Sequence, residues 1–190
     1  MSTPMSVTTA NITGKFVKNK SLSDNLDEVL KLQGIPWLQR KAFNAVNLTS
    51  GFRQHTDLTT GVEVVEIFNS VSAGGPSGEP SNTRTLDFQE RREESERLGS
   101  VVAKSKRVDV AEMGDVFFRD GWTEDTVESK VIHIIMSGNV GQSDAWTMEQ
   151  VWGFENKDGE RRHARRIKFT SAKVQEAYKL RLYFDYVGPF

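Results

Sequence analysis

Tight-turn signals recur along this chain after about Asn47 and most constrain its fold. Thr60-Gly61, Asp120-Gly121, Gly138-Asn139 with Gly141, and Lys157-Asp158-Gly159 are the residue types that supply the positive φ angles of short hairpin loops. Around them lie apolar runs that read as strands: Phe52–Asp57, Val62–Val71, Arg84–Arg91, Val101–Val110, Val116–Arg119, Thr126–Gly138, Ala145–Glu155, Glu160–Thr170 and Ala177–Val187. A further strand lies in GKFVKNK, residues 14–20, giving ten in all. Strands joined by such turns are antiparallel neighbours, and an open sheet of this size would leave two bare edges. The expected fold is therefore mainly β, an antiparallel ten-stranded up-and-down barrel.

One segment breaks the pattern. In SLSDNLDEVLKLQGIPWLQRKAFNA, residues 21–45, Ser21 and Asp24 have capping-box spacing, and Leu26, Val29, Leu30 and Leu32 recur at helical intervals. Gly34 supplies a left-handed stop and Pro36 suits a first helical position. Trp37, Leu38, Ala42 and Phe43 then give a second helix an apolar side. This pair, inserted after the first strand, is expected to cap the barrel mouth as a helix-turn-helix lid over residues 23–44. Residues 1–12 are expected to be a flexible N-terminus, 13–190 a single β-barrel domain, and the Gly/Pro/Ser-rich stretch 72–83 a mobile loop.

With 25 Lys and Arg against 26 Asp and Glu in 190 residues, no overall field draws the chain to nucleic acid or to an anionic membrane. The absence of cysteine excludes disulfides and thiolate metal sites. There is no signal-peptide layout and no apolar run near the roughly 20 residues of a transmembrane helix. A cytoplasmic protein is expected. His55, His133 and His163 lack metal-ligand spacing, and no phosphate loop, nucleophile elbow or triad is present. No metal or cofactor is expected. The basic run RRHARRIK, residues 161–168, reads as a solvated strand face with Arg165 turned inward rather than as a nucleic-acid patch.

Alternation along the strands points to a lumen. Trp146, Met148, Gln150, Trp152 and Phe154 share one face, an apolar stripe with a single polar handle. His133 lies within KVIHIIM, residues 130–136, and is the residue type best suited to acid-base work near neutrality. The last strand holds a conflict. Alternation sends Tyr178, Leu180, Leu182, Phe184 and Tyr186 inward and leaves Arg181 and Tyr183 outside.

GKFV, DNLDEVLKLQGIPWLQRKAF, LDFQER and the Arg-x-Tyr pair Arg181 and Tyr183 resemble the intracellular lipid-binding proteins (fatty-acid-binding and retinoid-binding) of the calycin superfamily. The resemblance implies a calycin-like barrel, and it implies that Arg181 and Tyr183 face inward to grip a ligand carboxylate, against the alternation. A bulge, or a second apolar layer outside the barrel, would reconcile the two. The chain is longer than that family's usual members, with the excess in the N-terminus, the 72–83 loop and residues 93–122. A lipocalin-like pericyclase or cyclase of secondary metabolism is the related alternative. The expected function is binding of a mainly apolar small molecule by Trp37, Phe43, Trp146, Met148, Gln150, Trp152, Phe154, Arg165, Arg181 and Tyr183. If the chain is instead an isomerase or cyclase, His133, Gln150 and Tyr183 are its expected catalytic residues.

Overall fold

The computed structural model describes residues 2–71, 75–95 and 98–190. Strands β1 (Gly14–Asn19), β2 (Thr49–Thr56), β3 (Glu63–Ser70), β4 (Asn82–Thr85), β5 (Arg91–Ser95), β6 (Gly99–Val108), β7 (Val131–Gly138), β8 (Trp146–Lys157), β9 (Glu160–Ser171) and β10 (Tyr178–Gly188) form one curled sheet. Its order is β4-β3-β2-β1-β10-β9-β8-β7-β6-β5, an up-and-down meander made continuous by the antiparallel pairing of β1 with β10. Helices α1 (Asp27–Leu32) and α2 (Trp37–Ala45) fall between β1 and β2. The longest ladder joins β8 to β9 and runs from Trp146↔Ser171 to Lys157↔Glu160. Asp158 and Gly159, with φ 52° and 75°, turn it with the positive angles that their sequence predicts.

β4 and β5 are the two ends of the sheet and share no backbone ladder. Between them the chain bonds by backbone to both sides, Leu86 N–H to the Glu63 carbonyl at 2.9 Å and Phe88 N–H to that of Ser105 at 2.8 Å, and side chains close the rest of the seam. Glu93 on β5 accepts hydrogen bonds from Asn82 at 2.9 Å and from Arg84, both on β4. Lower down, Arg107 on β6 forms a two-pronged pair with Glu63 on β3 at 2.7 and 3.0 Å. The same guanidinium donates to the carbonyls of Ser129 and Thr9, each at 2.9 Å.

The strand total agrees with expectation although its members differ. Val116–Arg119 is a helix, α3, because Asp115 accepts from the Phe117 N–H at 3.0 Å and caps it. Residues 124–129 form a second short helix, α4 (Glu124–Ser129), so Asp120-Gly121 joins two helices rather than two strands. The run Arg84–Arg91 divides between β4 and β5, with Phe88 at φ 61° in the break. The Ser21–Asp24 capping box does not form: Ser21 donates to Asn19 at 2.8 Å, and Asp24 accepts from the Arg181 N–H on β10 at 2.6 Å. The N-terminal stretch, expected to be flexible, is held against the barrel instead. Arg161 donates to the carbonyls of Thr3, Pro4 and Val7 and pairs with Asp125, while Val7 and Ile12 enter the core. Of the expected loop at 72–83, residues 72–74 lie outside the described residues and 82–83 belong to β4.

Residues 109–130 form an annex on the outer face of the barrel. Val110, Met113 and Phe118 pack on Val108, Val131 and Val151, with Phe117 and Trp122 alongside. Small residues in the wall make room for it. A Cβ on Gly153 would lie 2.7 Å from Thr126 Cγ2 and 2.8 Å from Trp122, and Gly153 pairs across the ladder with Ala164. A buried polar group fastens this layer: Glu155 accepts from Arg166 Nε at 2.6 Å and from the Tyr183 hydroxyl at 2.9 Å. Arg166 lies 3.7 Å above the Trp122 ring and donates to the carbonyls of Phe117 and Asp120.

Glu155→Ala is expected to destabilise the protein by about 3–5 kcal/mol, since it strands a buried guanidinium; denaturant unfolding measures this, and a loss below about 1 kcal/mol would contradict it. Acid should loosen the annex first. Hydrogen bonds from Lys179 and from the Phe117 N–H hold Asp115 at about 2, below its ordinary 3.8. A depressed carboxylate contributes fully above its unfolded pKa and loses that contribution as pH falls through its folded one, here from about 4 to about 2. Amide exchange at residues 116–119 should rise in that window ahead of β8 and β9, and Asp115→Asn should remove the pH dependence.

Candidate functional site

The helix pair stands over an open upper lumen. Its joint is set by Gly34 at φ 86° and by Arg40, which donates to Asp27 on α1 at 3.2 Å and to the Ile35 carbonyl at 2.9 Å. This clamp turns Leu26, Val29, Leu30 and Phe43 downward, where they line a cavity of about 330 Å³. Ile67, Ile134, Ile167, Leu182 and Phe184 form much of the wall. The volume falls within the roughly 300–1,000 Å³ of small-molecule sites. Leu30 and Phe43 also border a second apolar recess, of about 210 Å³, that reaches Ser95 and Leu98.

Below the cavity the lumen is filled. His163 is fully buried among the rings of Phe16, Phe52, Trp152, Phe154 and Phe184, with centroids 5.4–5.9 Å away. Burial, then the nearby Arg165 charge, pushes its pKa well down, so the imidazole is neutral. Its Nδ1 lies 3.2 Å from the Gly153 carbonyl, which only accepts. Nδ1 therefore carries the proton, and Nε2 accepts from Arg165 Nε at 3.2 Å.

One step up the same strand face, Arg165 meets the cavity. Its guanidinium carbon lies 4.1 Å from the Trp152 ring centroid, 4.4 Å from that of Phe184 and 5.2 Å from that of Phe52. No carboxylate pairs with it among the described residues, and its Nη2 is buried without a hydrogen bond. Burial, with the like charge of Arg84, lowers its pKa to about 9; it remains a cation at neutral pH. Gln150 is the neighbouring polar group. Trp152 Nε1 donates to Gln150 Oε1 at 3.0 Å, and because an indole only donates, this fixes the amide orientation. The Gln150 NH₂ is left facing the sulfurs of Met148 at 3.1 Å and Met136 at 4.0 Å, both weak acceptors. The cavity thus offers an oriented amide donor and an uncompensated cation in an apolar chamber.

Pericyclase pydY of Acremonium sp is 30% identical to this chain over 192 residues, covering 100% of it and 98% of the relative. This chain belongs to the pericyclase family. The probable pericyclase scpY of Mollisia scopiformis is 29% identical over 191 residues, covering 98% of this chain and 95% of that one. No family model matches. Among solved structures, the REP1-NXSQ fatty acid transporter superimposes at TM-score 0.49 and 15% identity, covering 93% of this chain and 96% of that one. A Schistosoma mansoni fatty acid binding protein in complex with arachidonic acid gives TM-score 0.49 and 13% identity, over 92% and 95% of the two chains. Likeness at that level supports no conclusion about this family member's site.

Of the residues singled out from the sequence, the structure gathers Phe43, Met148, Gln150, Trp152 and Arg165 at the cavity. Trp146 is buried against Phe169 beyond it, and Phe154 is part of the filled lower lumen. Neither lines the cavity, and four further residues lie off the lumen altogether. Trp37 is 62% exposed on the far side of α2. Arg181 and Tyr183 face outward, as alternation predicts and against the placement implied by the resemblance, because Leu182 and Phe184 between and beyond them take the lumen. Arg181 lies against Phe117 of the annex, and the Tyr183 phenol is pushed up to about 12 by burial and by Glu155. His133 is on the outer face too, 2.8 Å from Glu149. Sequence reasoning passed over His163 and Arg84. The i, i+2 spacing of His163 with Arg165 was the available signal for the first, and Arg84 gave none.

Because a desolvated cation without a carboxylate opposes folding, Arg165→Met should raise the melting temperature of the ligand-free protein by roughly 2–8 °C. Differential scanning calorimetry tests this, and a lower melting temperature would show that Arg165 is a structural clamp.

Proposed function

We propose that this protein is a pericyclase that binds an apolar, polyunsaturated substrate in its lumen and folds it into the reactive shape for a concerted ring closure. The observation that carries the reading is the Gln150 amide, held by Trp152, beside the guanidinium of Arg165 at the base of a greasy cavity. Full-length similarity to two pericyclases supports it. Confinement by Val29, Leu30, Phe43 and the opposite wall removes the extended conformers of a polyene, and holding the reacting ends together supplies most of the acceleration. A hydrogen bond from Gln150 Nε2 to a substrate carbonyl draws electron density from a conjugated alkene and makes it a better acceptor. Such an oriented donor, placed away from water, is worth about 10²-fold in rate where charge develops on the oxygen. In this reading the ligand set is Phe43, Met148, Gln150, Trp152 and Arg165, the reaction needs no cofactor, and the protein acts in the cytoplasm.

A pericyclic ring closure changes shape without changing mass. Deleting the gene in its own host should make an uncyclised isomer accumulate, of the same mass as the lost product, and added purified protein should convert it. Gln150→Leu should lower kcat about 10- to 100-fold with little change in KM, the pattern of an interaction made mainly in the transition state. Copurification of one unchanged small molecule, with no isomer formed from any polyene, would instead identify a carrier.

A further inference from the structure

The groups that line the cavity are unbalanced in charge. Lys18, Lys20, Arg84 and Arg165 all face it, and no aspartate or glutamate does among the described residues, although the chain as a whole has a net charge of -1. One of the four is compensated: Arg84 is held by Glu93 in the seam. Arg165 is not. Its ε nitrogen is spent on neutral His163, its flat faces lie on aromatic rings, and Nη2 is left without a partner. Lys18 shares a face of β1 with Phe16, and Lys20 follows just beyond the strand end, at the lid, where it donates to the Ala45 carbonyl at 2.9 Å. Burial and the charge of Lys20 depress the Lys18 pKa, outweighing the pull of Asp24 in the other direction. Cations gathered in an apolar chamber repel one another and resist desolvation unless a ligand supplies the opposite charge.

We propose that the substrate binds as an anion, its charged oxygen seated on Arg165, having passed Lys18 and Lys20 at the mouth. The chemical class is an unsaturated chain ending in a carboxylate or in the enolate of an acidic carbonyl compound. Arg165 is then the residue that sets specificity and register: it fixes one end of the chain so that the alkenes lie against Gln150 and the aliphatic wall. This inference rests on the reading of the cavity as a substrate site.

Fluorescence titration of the full chain with cis-parinaric acid and with its methyl ester tests it. The acid should bind about 10- to 100-fold more tightly than the ester, the range for a charge-assisted hydrogen bond. Arg165→Met should abolish the difference by weakening the acid alone, and Arg165→Lys should keep part of it. The Lys18→Ser, Lys20→Ser double variant should slow association of the acid and flatten its salt dependence. A long-chain β-diketone, titrated above and below its enol pKa, separates the two head groups: the one whose affinity falls further in Arg165→Met is the kind the site takes. Equal binding of acid and ester by the natural protein, or a preference that survives Arg165→Met, would overturn the anion and leave the cavity standing. Binding of no probe would overturn both. Should Arg165→Met not fold, Arg165→Gln reads the same difference.

Discussion

Everything in this molecule depends on closing a sheet whose end strands do not pair. A ten-strand meander has a lumen only if β4 and β5 are brought together; they share no ladder, and the backbone bonds across the gap are confined to the short link at residues 86–88, where Leu86 N–H donates to the Glu63 carbonyl and Phe88 N–H to that of Ser105. Arg84 and Asn82 reach Glu93 across the upper seam, while Arg107 and Glu63 tie β6 to β3 below it. The lower tie also gathers carbonyls from residues 9 and 129, so the N-terminal stretch and the end of α4 are fastened at the point that shuts the barrel. Cavity, lid and annex take their positions from that closure.

Within the closed barrel, the division into a filled base and an open top follows from side-chain size along β1, β8, β9 and β10. Phe16, Phe154, His163 and Phe184 meet at one level and leave no room. Higher up, the aliphatic Val29, Ile134 and Leu182 leave a chamber. Arg165 sits at the boundary. A polar group set there is close enough to the aromatic nest to be held by it, and far enough up to reach a ligand. The neutral imidazole makes this arrangement workable, since it accepts a hydrogen bond from the cation without neutralising it.

The strand rhythm, the two helices and the inward stripe of β8 were legible because each is written in short-range terms: turn dipeptides, Gly34, and an alternation with period two. The helix at 116–119 was not, because four residues carry no helical period and the deciding contact is one Asp115 cap. The outward course of Arg181 and Tyr183 followed from alternation, although the Arg-x-Tyr resemblance implied the reverse and burial alone could not decide. Strands β8 to β10 are apolar or buried on both faces, one turned to the lumen and the other to the annex, so burial no longer marks which face is inside. Trp37 and Phe43 show the same limit on a helix. Six residues apart, they lie about 240° from each other around the helix and cannot both face the lumen; the Arg40 clamp fixes the pair so that Phe43 turns down and Trp37 out.

The annex has a consequence for how the wall moves. Gly153 and Ala164 let Trp122 and Thr126 lie flat against β8 and β9, giving that side of the barrel a second packed layer, whereas the β4–β5 side has a single layer closed mainly by side chains. The two halves therefore differ in stiffness. Amides of β8 and β9 beneath the annex are expected to exchange only with global unfolding, and those beside the seam by local opening. Were a ligand bulkier than the resting chamber to enter, the single-layered seam is the side expected to bow outward, while the face that carries Gln150, Trp152 and Arg165 keeps its geometry.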